Sequence, residues 1–252
     1  MISKNRIKLI HSLEKKKFRR QEGLFVAEGP KLVGELLPTF TLRYVAATAT
    51  WYDTWGSTLA GKDMVQDLVT DDELRKASLL QHPQEVIALF ELPHSDCPLQ
   101  EVADKELVLA LDGIQDPGNM GTIVRIADWF SINHIYCSQE TVDVFTPKAI
   151  QATMGAIGRV NVHYVNLVEQ LNGFQGKIYG TELDGDNLYG QELTQRGVII
   201  MGNEGNGISK GVRPLVNSHL LIPSFPSSRE TVESLNVAIA TAIICAEFRR
   251  TI

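Results

Sequence analysis

From Leu107 onward, short unbroken apolar runs alternate with stretches patterned as helices, and few folds accept that order. Leu107-Val-Leu-Ala-Leu111 is apolar at every position, as a strand covered on both faces must be. Gly118 to Phe130 follows as a helix with Ile123, Ile126, Ala127 and Phe130 on its apolar side. His134–Cys137, Val160–Tyr164, Lys177–Gly180, Val198–Met201 and Leu220–Ile222 read as further strands. Helices are predicted from Thr146-Pro147 through Met154 and from Leu167 to Leu171. Such alternation predicts an α/β unit whose sheet is mostly parallel and covered on both faces. A long closing helix, Val232 to Phe248, has no polar stripe between Val237 and Ala246. It is either deeply buried or part of a subunit interface.

The first 95 residues read as a separate, smaller α/β unit. A lysine-bearing helix over 3–17 leads to a short strand at Leu24–Ala27, and Gly29-Pro30 opens a second helix. Leu42–Ala47, Val65–Val69 and Glu85–Phe90 supply strands, with a helix begun by the acids Asp71-Asp-Glu73. Leu92-Pro-His-Ser-Asp-Cys-Pro98 reads as the linker. The expected division is therefore 1–95 and 104–252.

Composition closes other routes. No run of 18 apolar residues exists, so no membrane span is expected, and Met1–Lys8 lacks the apolar core of a secretion signal. Cys97, Cys137 and Cys245 are too scattered for a zinc knuckle or a disulfide framework, and no His-x-x-x-His pair occurs. Neither a metal site nor an extracellular home is indicated; a cytoplasmic protein is expected. The net charge is −6, yet residues 1–22 carry Lys4, Arg6, Lys8, Lys15, Lys16, Lys17, Arg19 and Arg20 against only Glu14 and Glu22. This +6 arm reads either as a phosphate grip or as the solvated face of a first helix.

Three segments carry the chemistry: Asn119-Met-Gly121-Thr-Ile-Val-Arg125, Met201-Gly-Asn-Glu204-Gly-Asn-Gly207-Ile-Ser209, and Glu233-Ser234-Leu235-Asn236-Val237. The first and third set polar groups at the edge of apolar helices, and the second follows a buried strand directly. Open α/β sheets build their sites from such strand ends and first helical turns. The glycine loop is no dinucleotide fingerprint, because its spacing is wrong and it comes late, and no Walker A lysine is present. Its glycines do let backbone approach a ligand closely.

Taken together, the three segments resemble the motifs of the SpoU (TrmH-like) branch of the SPOUT RNA 2'-O-ribose methyltransferases. Asn119-x-Gly121-x-x-x-Arg125 resembles the first motif and Gly202-x-Glu204-Gly205-x-Gly207-Ile-Ser209 the second. Ile222-Pro223 with Glu233-Ser-Leu-Asn236-Val resembles the third. Pro147-Lys148 to Gly155-Ala156 resembles the intervening helix. Phe25-Val-Ala-Glu28-Gly29-Pro-Lys31 is similar to the family's L30e-like substrate-binding domain.

The resemblance implies a small L30e-like α/β domain followed by a mostly parallel C-terminal sheet tied in a deep trefoil knot (the SPOUT, or α/β-knot, fold). It implies S-adenosylmethionine as cofactor, a homodimer, and structured RNA as substrate, ribosomal RNA before transfer RNA. The alternatives it leaves are a tRNA 2'-O-methyltransferase and a non-catalytic RNA-binding assembly factor. By the same resemblance Gly202, Ile222, Leu235, Thr181 and Gly207 frame the cofactor, and Arg125 is the key catalytic residue, with Asn119, Glu204, Ser234 and Asn236 around it. Guanidinium groups give up a proton only above about pH 12, so the identity of the base stays open. One departure stands out. The motif-three methionine and glycine are missing, and Ile222-Pro223 reaches Glu233 only through a longer loop that contains Phe225, Pro226 and Arg229.

Overall fold

The computed structural model describes residues 1–93, 97–226 and 234–250. The chain forms two compact units, Met1–His94 with Asp143–Gly158, and Ser95–Val142 with Arg159–Ile252.

The first unit contains α1 (Lys4–Ser12), α2 (Lys16–Glu22), β1 (Leu24–Glu28), α3 (Pro30–Leu36), β2 (Leu42–Ala47), α4 (Ala49–Trp55), β3 (Val65–Leu68), α5 (Asp71–Ala77) and β4 (Val86–Glu91). Its sheet runs β1-β4-β2-β3, with β4 antiparallel to both neighbours and β3 parallel to β2. Local chemistry sets the boundaries. Ser3 accepts from the Arg6 amide at the start of α1, and Gly23 ends α2 in the left-handed region at φ 66°. Thr70 and Glu73 form a reciprocal capping box on α5. Ile10, Leu13, Val26, Tyr44, Leu74, Ile87 and Leu89 share one core.

Two expectations for the arm change. The helix predicted over 3–17 is two helices, α1 and α2, broken by the turn after Ser12. Arg19, counted among the phosphate-gripping residues, is only 1% exposed. Its Nη2 lies 2.6 Å from Asp143 Oδ2, and its Nη1 donates to the carbonyls of Leu13 and Glu14 at 2.7 and 2.8 Å. Arg19 therefore holds the turn and the 143–158 segment together. Arg6 stacks its guanidinium 4.3 Å from the centre of the Tyr44 ring. The segment from Asp143 contributes α8 (Pro147–Thr153), whose Gln151 side chain donates to the Glu28 carbonyl at the end of β1.

The second unit contains α6 (Leu99–Ala103), β5 (Leu107–Asp112), α7 (Pro117–Trp129), β6 (His134–Cys137), β7 (Asn161–Tyr164), α9 (Leu167–Leu171), β8 (Ile178–Asn187), β9 (Gly197–Gly202), β10 (Ser218–Leu221) and α10 (Val237–Phe248). Its six strands run β10-β8-β9-β5-β6-β7, and every neighbouring pair is parallel. All six C-terminal ends thus lie along one edge. β5 and β9 are apolar and almost wholly buried, as the unbroken runs require. Val108, Ala110, Tyr136, Val198 and Ile200 pack with Leu167, Leu171 and Val212.

The closing helix α10 begins at Val237 rather than Val232, because Asn236 caps it by accepting from the Ala238 and Ile239 amides. Residues 227–233 lie outside the described part, with the Arg229 and Glu233 singled out above. α10 lies parallel to α7. Asn236 bonds Asn119 at their N-terminal ends, and Arg249 donates to the Phe130 and Ser131 carbonyls at their C-terminal ends. Within the chain α10 is buried on one face, at Val237, Thr241, Cys245 and Phe248, whereas Ile239 is 54% exposed.

Candidate active site

The site grows from the C-terminal edge of the parallel sheet. Three adjacent strands, β10, β8 and β9, carry Ile222, Thr181 and Gly202 at or just beyond this edge. The Thr181 hydroxyl donates to the Ile200 carbonyl at 2.9 Å, which fastens β8 to β9 where the edge begins. At Gly202 a Cβ would stand 2.4 Å from the Gly207 carbonyl carbon, so the loop can fold back onto the strand end only over a glycine. Gly207 turns that loop at φ 68°, and a Cβ there would meet nothing within 4 Å.

The loop is shaped by Asn203. Its backbone pairs with Gly207, its side-chain oxygen accepts from the Gly205 and Asn206 amides, and its side-chain amide donates to the Gly113 carbonyl at 2.7 Å. The buried Asp112 carboxylate accepts from the Ser209 amide at 2.7 Å. Asp112, Gly113 and Asn203 therefore join the end of β5 to the glycine loop.

α7 starts beside this junction. Asp116 caps it by accepting from the Asn119 amide at 2.8 Å, and Pro117 takes the first helical position. The Asn119 side chain then does two things at once. Its Nδ2 donates to Glu204 Oε1 at 2.9 Å, and its Oδ1 accepts from Asn236 Nδ2 at 3.0 Å. One residue from each segment is thus linked in a chain, Glu204–Asn119–Asn236. Gly121, Ile123, Val124 and Ala127 form the buried face of α7. Arg125 lies on the opposite side, exposed, with no hydrogen bond or ion pair among the described residues.

Of the residues named from sequence, Asn119, Glu204 and Asn236 meet directly. Thr181, Gly202 and Ile222 share the strand edge, and Gly207 turns the loop above it. Asn119 does not bond Arg125; its partners are Glu204 and Asn236. Ser234 and Leu235 are exposed beside the cap of α10, and Ser234 makes no hydrogen bond among the described residues. Sequence reasoning passed over Asp112, Asp116 and Asn203. Asp116 before Pro117 is a helix-start signal that could have been read. Asp112 and Asn203 act on backbone groups far away in the chain, which spacing does not encode.

Among the described residues no three His, Cys, Asp or Glu side chains are grouped to hold a metal ion, and no helix is long and apolar enough to cross a membrane.

The chain has the fold of the SPOUT RNA methyltransferases, since the two methyltransferase structures described below superpose on nearly all of it. Its sequence matches the SpoU rRNA Methylase family over residues 106–246 and the MRM3-like substrate binding domain over 4–88, and the chain belongs to the SpoU family. The family fold is the α/β core with the trefoil knot that the resemblance implied. Among relatives, the chain is 30% identical to the 23S rRNA (guanosine(2553)-2'-O)-methyltransferase RlmP of Bacillus subtilis, over 72% of this chain and 71% of that one. Among solved structures, a TrmH-family protein from Porphyromonas gingivalis superposes with a TM-score of 0.89 at 40% identity, covering 99% of this chain and 98% of that one. An AdoMet-bound rRNA methyltransferase from Sinorhizobium meliloti superposes with a TM-score of 0.85 at 26% identity, covering 99% and 95%.

Proposed function

We propose that this protein methylates the ribose 2'-hydroxyl of a structured ribosomal RNA, using S-adenosylmethionine, as a cytoplasmic homodimer. The observation that carries the reading is the Glu204–Asn119–Asn236 chain, which draws the three segments together at the start of the helix that carries the exposed Arg125. The relative bound to AdoMet supports the cofactor, and the relative acting on 23S rRNA supports the substrate class.

The residues present fit such a cofactor. The strand edge offers backbone groups and small residues rather than a charged grip, and Gly202 lets the loop backbone fold back against that edge. Gly202, Gly207, Thr181, Ile222 and Leu235 would hold it. S-adenosylmethionine supplies a methyl group already activated on a sulfonium. The chain's own task is therefore to bring the acceptor hydroxyl into line and to ease its proton away. Arg125, exposed on α7, receives an RNA phosphate and orients the acceptor. Asn119 and Asn236 hold the α7 and α10 termini in register, and Glu204 anchors the glycine loop to them. The first unit docks the RNA through phosphate and shape contacts. The three free cysteines suit a reducing compartment.

The test is Arg125→Ala. Methyl transfer should fall by about 100-fold or more, with cofactor affinity unchanged by calorimetry. An unchanged turnover number removes Arg125 from the reaction. Wild-type protein that binds RNA but takes up no S-adenosylmethionine makes the chain a non-catalytic RNA-binding factor.

A further inference from the structure

β8 does not run straight to its end. Its pairing with β10 jumps from Gly180, opposite His219, to Asp186, opposite Leu220. Neighbouring residues of β10 thus face residues six apart on β8, and residues 181–185 are thrown out of the ladder at the C-terminal edge. The excursion starts at Thr181, whose hydroxyl is fastened to β9, and returns at Gly185. There a Cβ would stand 2.8 Å from the backbone of His219 and Leu220. It therefore rises between the strand ends that carry Gly202 and Ile222.

Left alone, five such residues would be mobile; here they are clamped. Arg213 follows one turn after the glycine loop, its amide donating to the Ser209 carbonyl at 2.9 Å. Its Nε lies 2.7 Å from Glu182 Oε1 and its Nη2 2.7 Å from Asp184 Oδ2. The second Glu182 oxygen is taken by His219 Nδ1. The Glu182 side chain is 8% exposed, so both its oxygens are committed to this network. Arg213 beside it holds the Asp184 carboxyl below the usual carboxylate range. The guanidinium fork suits this role, because one planar group reaches two carboxylates in a fixed geometry that an ammonium cannot reproduce.

We infer that Arg213 is a positioning residue for the cofactor pocket: by bridging Glu182 and Asp184 it fixes the 181–185 excursion as one wall of the site. The same side chain couples that wall to the turn that follows the glycine loop. This rests on the proposed placement of S-adenosylmethionine at the strand edge.

Calorimetry of the full-length protein with S-adenosylmethionine tests it, using Arg213→Ala, Arg213→Lys and the exposed Asp184→Asn. Arg213→Ala should weaken cofactor binding by about tenfold, raise the cofactor KM to match, and leave kcat at saturating cofactor within about twofold. Arg213→Lys should restore only part of the affinity, and Asp184→Asn, which keeps the buried Glu182 contact, should show a smaller loss. Wild-type uptake matched by all three variants overturns the clamp alone. Equal losses in kcat and affinity with a lowered melting temperature mark a merely structural role and also overturn it. Wild-type protein that takes up no cofactor overturns the clamp together with the reading of the site.

Discussion

Asn119 donates to an acid and accepts from an amide, and its carboxamide does both with one short planar group. An aspartate there would set two carboxylates against each other and lose the donor to Glu204. That demand explains why the Asn-x-Gly-x-x-x-Arg spacing was informative before any coordinates: the asparagine lies in the first turn of α7, and the arginine lies beyond it on the exposed side. Asn203 was not legible, since an asparagine inside a glycine loop gives no sign of which distant carbonyl it reaches. Glu28 was visible only as part of a resemblance, yet it is a buried carboxyl with its own consequence. Burial raises its pKa above the ordinary glutamate range, against the opposing pull of hydrogen bonds from the Ser78 hydroxyl and Leu79 amide and of nearby His11. A raised folded-state value means that this contribution to stability is complete below the unfolded pKa of about 4.3 and is lost as pH climbs through the folded value. Glu28→Gln removes that titration. Urea unfolding at pH 5 and pH 8 should show the variant gaining on wild type at the higher pH; a difference that is the same at both pH values contradicts this.

At the scale of elements, the basic arm shows where pattern reading stops. Charge alone left a phosphate grip and a solvated helix open, and the structure divides the arm between uses. Arg19 is an internal strut, whereas Lys15, Lys17 and Arg20 are exposed. The two groups should separate by experiment. Neutralising Lys15, Lys17 and Arg20 should lower the salt dependence of RNA binding by about one unit of slope for each phosphate no longer gripped, with stability nearly unchanged. Arg19→Ala should instead cost about 3–5 kcal/mol of unfolding free energy, because it strands Asp143 without its partner. A stable Arg19→Ala protein with a reduced salt slope would reverse the assignment. Most helices and strands of both units were legible from periodicity, with ends shifted by a few residues. The β8 excursion was not, since Leu183 to Asn187 carries turn-like residues and only the pairing with β10 shows that the strand resumes.

For the whole molecule, the alternation after Leu107 gave the parallel sheet, because strands apolar on both faces that alternate with helices suit a sheet covered by helices on each side. The strand order and the knot were not derivable from spacing, and general topology rules disfavour knots; the resemblance alone pointed to the knot. The packing of residues 143–158 into the first unit was equally hidden, because the Arg19–Asp143 ion pair and the Gln151–Glu28 bond join residues more than a hundred positions apart. Ile239 on α10, Leu235 just before its cap and Trp129 on α7, 83% exposed, leave apolar surface uncovered at the parallel helix pair. A homodimer closed over this face should bury more than about 1,200 Å². Light scattering should give a dimer at micromolar concentration, and replacing Trp129 and Ile239 by Glu should give a folded monomer. Wild-type protein that is monomeric there contradicts the interface.

The reaction itself is open to direct measurement. Ribosomal RNA from cells lacking this protein is incubated with the pure protein and methyl-labelled S-adenosylmethionine, then digested to nucleosides. Label is expected in a single 2'-O-methylnucleoside, and none when Arg125→Ala protein is used; label on a base, or no label in ribosomal or transfer RNA, would contradict methyl transfer to a ribose.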